Sequence, residues 1–439
     1  MTSVISILCG GLTSPFGQSA TARVRGRTDA ASVRLAVARD PGMMWATYLP
    51  AQAPTAEGVF DFTITGLAPN MQRYYYAVEC DGDLDLTKVG TFQTFPEEGS
   101  KRNHRIIVGN CLGGDWLDPR WMTNYTSNSP VLDIIAREDA LLTNIIGDWG
   151  YNDYYLTNNG ISDSVANSRA FIAENLLRPR QQALFLRRPM NWFWDDHDWG
   201  VDDGDKTTPS RAFKNQVYRE TMPHYLLPSS TGFGIWHSFM IGDVLHIATD
   251  LRTDRDPNTD ADGVGKRMMS AEQEAWFEDL LIAASTDPLV GDVIWYSSSP
   301  WLGAVGVNGQ TTASLFDHWA LFSYQRDRLA AMIEAFKMQS GKAFAMVHGD
   351  IHALAYDDGS NNSWGGFPVY ACGAIDSPPN VRGGPFSGGY STGAARYMRL
   401  DKSYYPGGSL TTMEGRIWDT TWKKMAYGAP LGFLPAVTA

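Results

Sequence analysis

The chain has 439 residues, 44% apolar and 12% aromatic, with 36 Lys and Arg against 48 Asp and Glu for a formal charge of −12. That length accommodates two domains, or one large domain with an appendage, and the apolar share excludes a disordered chain. The acidic balance, without a dense basic tract, excludes non-specific binding to nucleic-acid backbones or anionic membranes, and no run nears the roughly 20 apolar residues that span a bilayer.

Met1 to Gly11 is briefly apolar but lacks a basic lead-in and a cleavage site. As written the chain reads as cytoplasmic; a trimmed export signal would leave the same appearance in a periplasmic or extracellular protein. Val33, Leu35 and Val37, then Phe60, Phe62 and Ile64, alternate with polar or small residues, the period of half-buried strands. Gly66 to Asn70 breaks the chain before Tyr74-Tyr75-Tyr76-Ala77-Val78, and Gly90 to Pro96 closes an all-β segment resembling a fibronectin type III or immunoglobulin-like sandwich. Its spacing from Leu67 to Tyr74 is one residue longer than usual. Of the four cysteines, Cys9, Cys80, Cys111 and Cys372, only Cys9 and Cys80 share this segment, which leaves a bridge between them open.

Residues 98–103 form a polar linker between 1–97 and 104–439. The pattern then alternates strands with helices. It predicts a strand at Ile106 to Val108, a helix from Ser129-Pro130 to Leu142, a strand at Asn144 to Ile146 and a helix from Ser164 to Leu177. A strand at Asn191 to Trp194 and a helix after Thr208-Pro209-Ser210 follow, then a hairpin over Ile235 to Asp250 turning at Gly242-Asp243. Ser270 with Gln273 predicts a capping box before a helix burying Trp276, Phe277, Leu280 and Leu281. Strands at Asp292 to Tyr296, Ala343 to Val347 and Pro368 to Cys372, with a helix at Trp319 to Met338, complete the pattern, and Gly383 to Gly393 reads as an ordered loop.

Four runs stand just past predicted strands, where open α/β sheets place their sites. They are Val108-Gly109-Asn110-Cys111, Ile146-Gly147-Asp148-Trp149-Gly150-Tyr151, Trp194-Asp195-Asp196-His197-Asp198 and Val347-His348-Gly349-Asp350-Ile351-His352. Carboxylates this crowded raise one another's pKa unless a cation neutralises them. Thiolate and phenolate suit trivalent iron, and carboxylates suit calcium, magnesium or manganese.

The ordered runs resemble those of calcineurin-like metallophosphoesterases, and within them the PhoD-like alkaline phosphatases. Thr249-Asp250-Leu251-Arg252-Thr253 echoes a further run of that group. The resemblance covers nearly the whole chain. It implies a four-layer α/β metallophosphoesterase sandwich preceded by the all-β domain, and hydrolysis of phosphate esters by a metal-activated hydroxide. Carried over, it makes Cys111, Asp148 and Tyr151 ligands of an iron(III), with Asp148 bridging to a second ion, calcium by the same resemblance, while manganese, magnesium or zinc also fit. Asp196, Asp350 and His352 complete the ligand set. His197 stabilises the transition state or protonates the leaving oxygen, and Arg252 holds a phosphate oxygen. Asp195 and Asp198 become supports for the ligands, and His348 a structural or supporting histidine. Two positions depart from the group: Asn110 stands where serine is usual, and Asp202 where asparagine is common.

Taken singly, Cys111 also fits a small buried residue, Tyr151 an aromatic that packs, and Arg252 a surface ion pair with Asp250 or Asp254. The partner expected is a small phosphate ester. Phosphomonoesters are the first expectation, diesters (phospholipase D-like) or triesters the alternative, with loops 254–267 and 379–393 setting the room for the leaving group. A non-catalytic metal- or ligand-binding protein is the reading from another class. Oligomeric state is left open.

Overall fold

The computed structural model describes residues 4–113, 125–158, 160–307, 309–378, 380–418, 424–427 and 430–431; Pro379, in the second of the two loops, lies outside them. Up to Gln93 the chain is β-structured. Strands β1 (Val4–Thr13), β2 (Ala20–Thr28) and β5 (Val59–Leu67) form an antiparallel sheet, and β3 (Val33–Ala38), β4 (Thr47–Tyr48), β6 (Arg73–Cys80), β7 (Asp83–Leu84) and β8 (Gly90–Gln93) form a second. The alternating residues Val33, Leu35, Val37, Phe60, Phe62 and Ile64 are buried in one cluster, as two facing sheets require. The extra residue before Tyr74 is accommodated where Asn70 and Met71 both take positive φ. The Tyr74 hydroxyl still accepts from the Ala68 N–H at 2.9 Å, fastening strand to turn. Cys9 and Cys80 are buried free thiols, so the bridge left open by the sequence is not formed.

The polar segment after this region is pinned down. Gly99 N–H donates to the Gly242 carbonyl at 2.8 Å and Gly242 N–H to the Pro96 carbonyl at 3.2 Å.

Two seven-stranded mixed sheets follow. In the first, β9 (His104–Gly109), β10 (Leu142–Ile146) and β11 (Met190–Phe193) run parallel. The hairpin of β19 (Arg396–Tyr405) and β20 (Gly408–Trp418) adds antiparallel beside β9, with β21 (Lys424–Tyr427) and β22 (Pro430–Leu431) pairing β20. In the second, β12 (His237–Ile241) pairs with β13 (Val244–Ala248), the expected hairpin. Strands β14 (Asp292–Ser297), β15 (Ala343–His348) and β17 (Val369–Cys372) run parallel to β13, and β16 (Ala353–Asp357) and β18 (Tyr390–Thr392) close the edge. The period of two sorts each strand: Val293, Trp295, Phe344 and Met346 pack on the helices, whereas Ile294, Tyr296, Ala345 and Val347 face Ile106 and Val108 of the first sheet.

The helices are α1 (Val131–Arg137), α2 (Asn152–Asn158), α3 (Val165–Leu177), α4 (Pro179–Arg187), α5 (Asp196–Trp199), α6 (Arg211–Thr221), α7 (Ala271–Thr286) and α8 (Ser323–Ser340). Phe277 and Leu281 of α7 and Leu329, Ile333 and Phe336 of α8 cover the second sheet. Strand β1 packs against α3, α4 and β11, so the early β region shares its core with the first α/β sheet.

Helix α1 ends well short of the expected Leu142, because the Arg188 guanidinium accepts the role of cap, donating to the carbonyls of Ile135 and Glu138. Only half of the capping box forms at α7: Ser270 Oγ accepts from Gln273 N–H. The Gln273 amide turns instead to the backbone of Asp250, accepting at 2.7 Å and donating at 2.7 Å. The expected helix at Trp319 opens as a 3-10 turn over Trp319–Phe322 before α8. Among the described residues no helix is long and apolar enough to cross a membrane.

His237 is wholly buried, its Nδ1 2.8 Å from the Ile235 carbonyl, and burial pushes its pKa down to about 4. The unfolded chain therefore binds an extra proton between pH 6.5 and 4, so stability falls as pH falls through that window. His237→Gln is expected to remove on the order of 2 kcal/mol of the acid-induced loss between pH 6.5 and 5. Denaturant midpoints at the two pH values check this, and an unchanged slope rejects it.

Candidate active site

The carboxyl ends of β9, β10, β11 and β15 converge, and each delivers one of the four runs. Backbone bonds lock the first two together: Cys111 N–H donates to the Gly147 carbonyl at 3.3 Å and Leu112 N–H to the Asp148 carbonyl at 2.7 Å. Gly147 has φ 103°, and a Cβ there would lie 2.6 Å from the Asp195 Cβ, so only glycine lets the second run approach the third. Asp198 completes that contact, accepting from the N–H groups of Trp149 and Asp195 at 3.0 Å each.

Six residues expected to ligate metal lie in this convergence, and all are buried. Ligand atoms of Cys111, Asp148 and His352 lie within 4.8 Å of one another, as do those of Asp148, Asp196 and His197. Cys111 Sγ is 3.4 Å from Asp148 Oδ2. Tyr151 Oη is 3.1 Å from His352 Nε2 and 3.0 Å from Ser377 Oγ. The other nitrogen of His352, Nδ1, lies 2.5 Å from the Pro378 carbonyl. With that proton placed there, Nε2 carries a free electron pair toward Tyr151 and Cys111. Burial pushes the His352 pKa down to about 4, so the ring is neutral.

Burial and neighbouring carboxylates push Asp148 and Asp350 well above the usual range, and Asp195 and Asp198 up to about 7. Burial and the same anions also raise the Cys111 thiol and the Tyr151 phenol. Asp148 Oδ1 and Asp350 Oδ2 are buried without a hydrogen-bond partner among the described residues. Orphaned carboxylate oxygens beside a thiol, a phenol and a neutral imidazole are what a cation pair would satisfy, so the donor set fits a metal centre.

His197 stacks on Tyr151 with ring centroids 4.0 Å apart. Its Nδ1 is 2.9 Å from Asp153 Oδ2, and its Nε2 is 3.7 Å from Asp202 Oδ1 on the solvent side. Burial opposes charge on this ring, but Asp196, Asp153 and Asp148 raise its pKa well above the ordinary histidine value. Asp196 is held low by His197 and Arg252 and accepts N–H groups from His197 and Asp203, all against its burial.

Arg252 departs from its expected surroundings. Its side chain is fully buried and bonds Asp195 through Nε at 2.6 Å, Asp317 through both terminal nitrogens and the Gly204 carbonyl at 3.1 Å. Asp254 pairs with Arg211 instead. His348 is buried, with Nδ1 2.9 Å from the Gly349 carbonyl and Nε2 without a hydrogen-bond partner among the described residues, so no bond from it to a ligand residue is formed. Asn110 is buried, its amide 3.3 Å from Cys372 Sγ, and with that amide oriented to satisfy its neighbours its oxygen accepts from the Asp350 N–H at 2.8 Å.

A family model described as PhoD-like phosphatase matches residues 149–371, half of the chain. The chain belongs to the PhoD-like phosphatase family. It is therefore a metallophosphoesterase, an enzyme that hydrolyses phosphoesters with metal ions. Cys111 and Asp148 precede the matched span. A solved structure of PhoD is 17% identical, with a TM-score of 0.72 over 97% of this chain and 88% of that one. The purple acid phosphatase PPD1 from yellow lupin (Lupinus luteus) seeds is 13% identical, with a TM-score of 0.63 over 97% of this chain and 74% of that one. These likenesses show a shared metallophosphoesterase fold. No curated protein matches the chain at a significant level.

Sequence reading missed Asp153, Asp203, Asp317, Ser377 and Arg382. Asp153 carried a signal: it lies two residues past Tyr151, just after the second run. Asp317 and Arg382 sit in irregular loops and carried none.

Arg252→Met is expected to destabilise the metal-free protein by on the order of 3 kcal/mol, because Asp195 and part of Asp317 lose their buried counter-charge. Denaturant unfolding measures this. An unshifted midpoint removes Arg252 from its buried-clamp role.

Proposed function

We propose that the chain hydrolyses phosphomonoesters at a two-metal centre, iron(III) bound by Cys111, Asp148, Tyr151 and His352 and a second cation, calcium first, by Asp148, Asp196 and Asp350. The observation that carries this reading is a pair of orphaned buried oxygens, Asp148 Oδ1 and Asp350 Oδ2. The Asp148 carboxylate lies within 4.8 Å of a thiol and a neutral imidazole, and Asp350 lies past the end of β15. A bound cation pair supplies charge neutralisation and makes water acidic enough to deprotonate near neutral pH.

The chain's own groups do the rest. Asp153 fixes the His197 ring at Nδ1, and the neighbouring carboxylates favour the doubly protonated form. Nε2–H, on the solvent side, is then positioned to protonate a leaving oxygen. Tyr151 stacked on one face restrains the ring's orientation. Arg252 and Asp317 hold Asp195, and Asp198 ties the second run to the third, so the ligand loops are set before substrate arrives. A monoester is favoured because its three non-bridging oxygens can engage two cations and a further donor, whereas a diester offers two. We also read residues 1–97 as a fibronectin III or immunoglobulin-like domain joined through 98–103 to a four-layer domain spanning 104–439, on the strength of two antiparallel sheets up to Gln93 and helix-covered paired sheets beyond.

Turnover of an aryl phosphomonoester beside the corresponding diaryl phosphodiester tests the substrate class. A larger kcat/KM for the diester reassigns it. No turnover of either after loading with iron plus calcium, manganese, magnesium or zinc ends the enzymatic reading for this chain. His197→Asn is expected to lower kcat about 10²- to 10⁴-fold for an alkyl ester, and less for a nitrophenyl ester whose leaving group needs no proton. Equal losses on both reject the general-acid role. Iron-loaded protein is expected to show a visible phenolate charge-transfer band that Tyr151→Phe abolishes. Stoichiometric iron without the band removes Tyr151 from the ligand set.

A further inference from the structure

Three guanidinium groups are set against the carboxylate cluster among the described residues: Arg252, Arg255 and Arg382. Arg252 and Arg255 are fully buried and both pair with Asp317. Neither presents a face to the cleft. Arg382 differs, with a side chain that is 23% exposed and 3.9 Å from Asp203 Oδ1, beyond hydrogen-bond reach. Its hydrogen bond among the described residues runs from Nη1 to the Phe316 carbonyl at 3.0 Å. The other N–H groups of its planar fork remain for a ligand.

The charge around Arg382 comes from the centre itself. Asp350 exerts the largest influence on it, and Asp317, Asp203 and Asp196 add to it. Two of these are proposed metal ligands, and the partly exposed guanidinium stands 3.9 Å from Asp203, the residue after the exposed Asp202 at the rim. Asp203 adds a second link, because its N–H donates to Asp196 Oδ2 at 2.9 Å while its Oδ1 is without a hydrogen-bond partner.

The loop carrying Arg382 is built to hold it there. Gly383 has φ 76°, and a Cβ on it would lie 2.3 Å from the Leu302 carbonyl oxygen and 2.8 Å from His318 Nε2. Leu302 O accepts from Gly384 N–H at 2.8 Å and faces His318 Nε2 at 2.7 Å. Residues 382–384 are thus hooked to the segment 302–318, which also supplies Phe316 O and Asp317. A fork pre-placed by such contacts loses little freedom when it grips an oxyanion.

We propose that Arg382 supplies the guanidinium that grips the substrate's phosphoryl oxygens, with Arg252 acting beneath it as the buried clamp of Asp195 and Asp317. This inference rests on the phosphoesterase reading above. An arginine so placed binds phosphate by paired, charge-assisted hydrogen bonds, which a lysine at the same position reproduces only as a point charge.

The test uses protein loaded with iron(III) and calcium and titrated calorimetrically with inorganic phosphate. Arg382→Gln is expected to weaken phosphate binding roughly tenfold or more and to raise KM for an aryl monoester in parallel, with a smaller change in kcat. Arg382→Lys keeps the charge and a donor for Phe316 O, and is expected to fall between the two. Should Arg382→Gln fold poorly by its unfolding midpoint, the lysine variant decides the matter. Wild-type phosphate affinity and KM in the folded variants would overturn the assignment of Arg382 while leaving the phosphoesterase reading intact. A wild-type protein that turns over no phosphate ester and binds no phosphate overturns both.

Discussion

Asp148, Asp195, Asp196, Asp198 and Asp350 are buried within a single convergence of strand ends, and mutual repulsion in a poorly solvated place is the constraint around which the rest of the molecule is arranged. Such a cluster persists only if opposing charge, hydrogen-bond donors or protons meet it. The structure uses three answers. Arg252 meets Asp195 and Asp317, backbone N–H groups of Trp149, Asp195, His197 and Asp203 meet Asp198 and Asp196, and the His197 imidazole meets Asp153 and Asp196. What remains uncompensated, the free oxygens of Asp148 and Asp350, marks where cations belong.

This distribution explains why neighbouring aspartates in one run take different parts. Asp196 receives two backbone N–H groups and keeps a depressed pKa, which suits a ligand that must stay ionised. Asp195, one residue earlier, accepts directly from Arg252 Nε at 2.6 Å, whereas Asp196 Oδ1 lies 3.9 Å from the same guanidinium. Asp198 turns back over its own helix start to bind Trp149 N–H, so the second and third runs move as one piece. Asp202, exposed at the rim, lies 3.7 Å from His197 Nε2 and adds negative charge beside that ring. Different hydrogen-bond partners along a short turn do the sorting that composition alone does not.

Much of this was legible because strand periodicity is a local property. The alternation at Val33 to Val37, the hairpin at Gly242-Asp243 and the four runs past β9, β10, β11 and β15 all follow from it. The role of Arg252 did not follow, since its fate depends on Asp317, which lies 65 residues away in an irregular loop. Arg382 escaped for the same reason: its position is set by contacts of Gly383 and Gly384 with Leu302 and His318, none of which leaves a periodic trace. Helix α1 stopped early because Arg188, some 50 residues on, takes its last carbonyls. The half-formed box at Ser270 likewise reflects Asp250 competing for Gln273. In each case a distant polar partner overrode a local preference.

The backbone at the site bears the same stamp. Cys111, Asp148, Asp350 and His352 have φ of 52°, 52°, 67° and 47°, the left-handed region that non-glycine residues rarely occupy. Each such residue costs on the order of 1–3 kcal/mol and persists only where surrounding contacts dictate it. Here those contacts are identifiable: the Gly147 and Asp148 carbonyls hold the residues after β9, and the Ser297 carbonyl holds Gly349 beside Asp350. A chain leaving a parallel strand in ordinary extended geometry would carry the next side chain onward along the sheet. Residues just past the strands turn into the left-handed region instead, and three of them, Cys111, Asp148 and His352, bring their donor atoms within 4.8 Å of one another. The conformational cost and the electrostatic cost therefore fall on the same residues, and a cation pair bound to them would offset both.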